Sequence, residues 1–121
     1  MSAGKAVVLF AHGSRDPLWR GPLEAVARRM AARAPGLPVR CAFLELEEPD
    51  LASAVAQLVA GGADSVSIVP MFLGTGKHAR DDLPRLVESV RIAHPAVAFS
   101  LRRAVGEDAR VLDLLAEIAL E

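Results

Sequence analysis

The chain has 121 residues, 52% of them apolar, enough for one domain to build a core without disulfides. Its 14 Lys and Arg residues against 15 Asp and Glu leave a net charge of −1, which excludes the overall basic field that nucleic acid or an acidic membrane surface requires. The lone Cys41 cannot close an internal disulfide, and AVVLFA near the start is shorter than a signal-peptide core or a membrane span. The expectation is one cytoplasmic domain over 1–121, with no nucleic-acid or membrane partner.

In chain order, short β-rich runs alternate with longer helical patterns. KAVVLFA is followed by DPLWRGPLEAVARRMAARA, PVRCAFLEL by DLASAVAQLVAGG, DSVSIVPMFL by ARDDLPRLVESVRIAH, and AVAFSLR by DARVLDLLAEIALE. Strands separated by helices of this length pair in parallel through right-handed crossovers. The fold class is therefore α/β, a four-stranded parallel doubly wound sheet in the order 2-1-3-4 with helices on both faces. Asp16-Pro17 and Asp50 mark helix starts, and Gly61-Gly62 and His94-Pro95 mark helix stops. In the first helix Leu18, Leu23, Val26 and Met30 recur at helical spacing, and Pro22 must kink it or confine its regular part to the residues that follow. Phe10, Phe43, Phe72 and Phe99 fall one per strand near its end, which predicts a layer of aromatic packing. Val111, Leu112, Leu114, Leu115, Ile118 and Leu120 cover more of the last helix than one sheet face needs, so it either fills a wide groove of its own domain or meets a partner.

His12, Glu45 and His78 carry the chemical argument. Each follows a hydrophobic run, and in this strand order the runs are neighbours about 4.8 Å apart, so all three groups gather at the carboxyl edge where open α/β sheets place their sites. Two imidazoles and a carboxylate suit a divalent first-row metal and leave positions open for substrate or water. Glu47 and Glu48 follow at once, and alternation in LELEE puts Glu45 and Glu47 on one face. His94 belongs to a helix end.

Other motifs argue less. Gly74-Thr75-Gly76-Lys77 is not a phosphate loop, because Met71 and His78 stand where that motif needs Gly and Ser or Thr. What remains is a glycine loop whose N–H groups can face an anion, with Lys77 and Arg80 beside a helix start. Ser14 between His12 and Asp16 lacks the elbow of a nucleophilic hydrolase. Cys41 reads as a small buried hydrophobe, and Trp19 packs a helix or lines the crevice.

FAHGSRDP, CAFLELEEPDL and VPMFLGTGKHARDDLP, in that order and spacing, resemble the short, single-domain sirohydrochlorin chelatases of the cobaltochelatase and ferrochelatase family, over nearly the whole chain. The resemblance implies a lyase that inserts cobalt, iron or nickel into sirohydrochlorin for cobalamin, sirohaem or a nickel tetrapyrrole, with the metal as substrate and no organic cofactor. It implies that His12 binds metal and accepts a proton, that His78 is the second metal-binding histidine, and that Glu45 is the acidic group near the metal. The loop Phe72, Leu73, Gly74, Thr75, Gly76 and Lys77 then borders the tetrapyrrole. Ser14, Arg15 and Glu45 complete the expected substrate-binding set. Arg15, Lys77 and Arg80 would meet the substrate's carboxylates, and the chain would act as a homodimer. Two rivals are a metal carrier using the same residues and a two-histidine phosphoryl-transfer enzyme, whose Arg-His-Gly signature is broken by Ala11.

Overall fold

The computed structural model describes residues 4–121. Four strands, β1 (Lys5–Ala11), β2 (Val39–Phe43), β3 (Ser65–Pro70) and β4 (Ala98–Leu101), form one parallel sheet in the order β2-β1-β3-β4. The helices are α1 (Gly21–Arg33), α2 (Leu51–Ala60), α3 (Lys77–Ala93) and α4 (Ala109–Ala119). Among the described residues no helix is long and apolar enough to cross a membrane.

Alternation along β1 explains the two packed layers. Ala6, Val8 and Phe10 face α2 and α3, where Leu51, Ala54, Val55, Leu58, Leu83, Val87 and Val90 bury against them. Leu9 and Ala11 face the other way, toward Leu23 of α1 and Phe43 of β2. A four-residue 3-10 turn, Pro17–Arg20, precedes α1, and Pro22 sits in the first turn of that helix, where its missing N–H costs nothing. Asp50 caps α2 by accepting from the Ser53 amide at 2.8 Å, which holds its carboxyl below the ordinary value. Pro84 stands inside α3 and cannot donate to the turn before it.

The expected single aromatic layer does not form. Register pairs Phe43 with Ala11 and not with Phe10, so Phe43 points to the α1 face, while Phe10 and Phe72 meet edge-on at 6.2 Å on the other. Cys41 is only half-buried on the α1 face, and that burial pushes its thiol up, helped by Glu24. Among the described residues the last helix finds no groove of its own domain to fill. None of its residues is buried, it touches little beyond the 3-10 turn Val105–Glu107, and Leu115 is 40% and Ile118 56% exposed. Among the described residues α1 covers its face of the sheet over β1 and β2, and Val69 and Met71 stay half-buried.

Candidate active site

His12 follows the last residue of β1 and is half-buried. Its ring lies 4.7 Å from that of Phe72, which rests on Phe10 below. Beyond it opens a cleft of about 520 Å³ walled by Trp19, Leu23, Val26, Met71, Phe72 and Leu73. An imidazole edge at one wall of an otherwise apolar slot suits a flat, largely apolar ligand that offers polar atoms at one place. Trp19, on the 3-10 turn after the His12 loop, lines this crevice and also leans on Phe43 at 6.4 Å.

β2 ends two residues before Glu45, yet its hydrogen bonding to β1 runs on. The Leu44 amide donates to the Ala11 carbonyl at 2.9 Å and the Glu45 amide to the His12 carbonyl at 3.0 Å, which brings Glu45 beside the His12 loop. Gly13 makes this approach possible. Its φ of +98° lies in the left-handed region, and a Cβ there would stand 1.8 Å from the Glu45 carbonyl oxygen.

The two candidate carboxylates differ in occupation. Glu45 is exposed. Glu47 has a side chain only 10% exposed; one oxygen accepts from the Ser14 amide at 3.0 Å and the other lies 3.8 Å from Arg20. Arg20 in turn stacks 4.7 Å above Phe43 and donates to the Glu48 carbonyl at 3.4 Å. Glu47 is thus a strut under the His12 loop, a role sequence reasoning missed; the acid two residues past Glu45 on the same face was the available signal. The Ser14 hydroxyl oxygen accepts from the Asp16 amide at 3.1 Å and Asp16 caps the following 3-10 turn, so these two side chains shape the loop and form no relay with His12. Arg15 is exposed on the same loop.

His78 lies exposed in the first turn of α3, outside the His12 cleft lining. Among the described residues no three His, Cys, Asp or Glu side chains come together as a metal-holding group, so His12, Glu45 and His78 share one edge of the sheet without forming a closed ligand set. Leu73 and Gly74 line the cleft with His12, while Thr75, Gly76 and Lys77 lead away from it into α3, whose N-terminus has no side-chain cap. The loop is pinned from behind. Gly106 donates from its backbone to the Phe72 carbonyl at 2.9 Å, and a Cβ on it would meet the Leu73 carbonyl oxygen at 1.8 Å. Nothing in the sequence pattern singled out Gly106.

The CbiX family model matches residues 6–121. A sirohydrochlorin cobaltochelatase of Saccharolobus solfataricus is 30% identical over 115 residues, covering 90% of this chain and 88% of its own length. A sirohydrochlorin cobaltochelatase of Methanopyrus kandleri is 37% identical over 68% of this chain and 57% of its own. A sirohydrochlorin ferrochelatase of Bacillus subtilis is 32% identical over 89% of this chain, which spans only 41% of that longer protein. Among solved structures, the CbiX protein of Marinobacter aquaeolei superposes with a TM-score of 0.83 at 28% identity, over 95% of this chain and 93% of its own. The sirohydrochlorin chelatase SirB of Bacillus subtilis in complex with cobalt gives 0.79 at 27% identity, over 93% of this chain and 48% of SirB.

Proposed function

The chain belongs to the CbiX family, and from that premise we propose that it is a chelatase inserting a divalent metal ion into sirohydrochlorin. The observation that carries the reading is His12 at the wall of an apolar, aromatic-lined cleft, with Glu45 tied beside its loop. Insertion releases two pyrrole protons and exchanges the ion's ligands for four ring nitrogens. Neutral imidazole can both coordinate the ion and accept a proton, so His12 takes both roles in turn. Glu45 and His78 are the further metal ligands of this reading. An incomplete ligand set in the protein suits an ion that must leave for the macrocycle better than one to be stored or carried. His, His and Glu accept several first-row ions, and relatives are named for both cobalt and iron, so supply of cobalt, iron or nickel decides among them. The balanced reaction uses no organic cofactor.

The reading includes one catalytic domain over 1–121, in the cytoplasm, acting as a homodimer. An apolar α4 that buries nothing in its own domain and a sheet half uncovered on its α1 face support a second copy as the occupant of both. Phe72, Leu73 and Gly74 line the cleft that takes the ring, with Trp19 as an added aromatic wall, and Ser14, Arg15, Thr75, Gly76 and Lys77 complete the substrate border in this reading from outside that lining.

The test follows the absorbance of sirohydrochlorin with cobalt, iron or nickel against the enzyme-free rate. Acceleration is expected from the unaltered chain and should be lost in His12→Ala and in His78→Ala, both with unchanged thermal unfolding. No acceleration with any of the three ions would overturn the reading.

A further inference from the structure

A second cavity, of about 400 Å³, opens above the ends of β3 and β4 and shares Leu73 and Gly74 with the His12 cleft. Leu83, Pro84 and Leu101 give it an apolar floor, whereas Arg80, Arg102 and Arg103 stand around it with Glu107 as the one carboxylate. In a chain whose net charge is −1, an excess of guanidinium here is a local arrangement. Among the described residues Arg80 and Arg102 make no ion pair, and Arg103 reaches Glu107 only at 3.5 Å.

The backbone fixes these charges relative to the cleft. The Arg102 amide donates to the Ile68 carbonyl at 2.9 Å, and the Gly106 amide holds the loop at Phe72. Between the cavities lies Gly74, where a Cβ would meet nothing within 4 Å, so a ligand can cross there.

We propose that this cavity is a carboxylate subsite, in which Arg102 and Arg103, with Arg80, hold an acidic arm of the tetrapyrrole whose ring lies over His12. The inference rests on the chelatase reading. A macrocycle seated against Trp19, Met71 and Leu73 has no cation among those walls for its acidic arms, and burying a carboxylate there unpaired is costly. An arm passing over Gly74 instead reaches planar guanidinium donors suited to bidentate pairing. The apolar floor strengthens that attraction, while solvent exposure of the arginines keeps it moderate.

The test is the double variant Arg102→Ala, Arg103→Ala, with Arg102→Lys, Arg103→Lys beside it and circular dichroism as the check on folding. Metal-free sirohydrochlorin is titrated by its fluorescence to give Kd, and cobalt insertion gives KM and kcat. Kd and KM should rise about tenfold in the alanine variant with kcat within about twofold, part of the loss returning with lysine and the difference shrinking at about 0.5 M KCl. An unchanged Kd overturns the proposal, as does a fall in kcat alone. Inorganic phosphate is added as a competitor, and if it inhibits the unaltered chain but not an alanine variant whose sirohydrochlorin Kd is native, the proposal is overturned and the cavity is a site for free anions. Because Kd is read without metal, an arginine-dependent Kd in a chain that accelerates no insertion would sink the chelatase reading and keep the subsite.

Discussion

Gly13→Ala should separate His12 from Glu45 without altering any side chain of the proposed site. The added methyl would start 1.8 Å from the Glu45 carbonyl oxygen, and since real Cβ atoms do not approach closer than 3.0 Å, the two segments must part by at least 1.2 Å. That displacement takes the Glu45 amide, now 3.0 Å from the His12 carbonyl, out of hydrogen-bonding range, at about 1 kcal/mol. A non-glycine residue held at φ +98° adds about 1–3 kcal/mol of backbone strain. The expected loss of stability is about 2–4 kcal/mol, read as a lower urea midpoint at unchanged slope. Misplacement of Glu45 by about 1 Å should lower kcat for cobalt insertion by about a hundredfold. Gly21→Ala, in the first turn of α1 where a Cβ meets nothing within 4 Å, is the control and should not destabilise the fold. A Gly13→Ala protein with native stability and native kcat would refute the contact argument.

Glu47→Ala removes the acceptor of the Ser14 amide and leaves Arg20 without that carboxylate, so stability should fall by about 1–2 kcal/mol, and kcat should fall more than KM rises as the His12 loop loosens. Asp50 has a folded pKa below its ordinary value of about 3.9, so its stabilising contribution is present above that value and is lost as pH falls through the depressed one. Asp50→Ala should therefore cost about 1 kcal/mol at neutral pH and progressively less as the solution is acidified below the ordinary carboxylate range, measured by urea unfolding across that range. Leu115→Glu with Ile118→Glu should turn a dimer into a monomer in sedimentation equilibrium with little change in intrinsic domain stability, because α4 buries no residue in its own domain. A variant that stays dimeric would remove α4 from the interface.

Much of this molecule was legible in one dimension. Hydrophobic runs of strand length separated by helical patterns fix a parallel α/β sheet, and chain connectivity with right-handed crossovers makes 2-1-3-4 the expected order, which is the order observed. Placement of His12 and Glu45 at the carboxyl edge followed from the same reasoning, since the end of a run is visible in sequence. Capping by Asp50 was equally local, as was the pair of outcomes open to Pro22, a kink or a late start of the regular helix, of which the structure has the late start at Gly21.

Contacts between segments distant in the chain were decided only on folding. Register, which pairs Ala11 with Phe43, split the expected aromatic layer between two faces; a shift by one residue would have reversed it, and composition does not specify that shift. Alternation marked the face of Glu47 but not its partner, an amide 33 residues earlier, and Gly106, which approaches the carbonyl oxygen of Leu73, has no local signature at all. The last helix shows the division most plainly. Its excess of apolar residues was readable, but whether its own domain would cover them depended on where the chain leaves β4, and the turn at Val105–Glu107 carries it off the sheet with its apolar residues in the open.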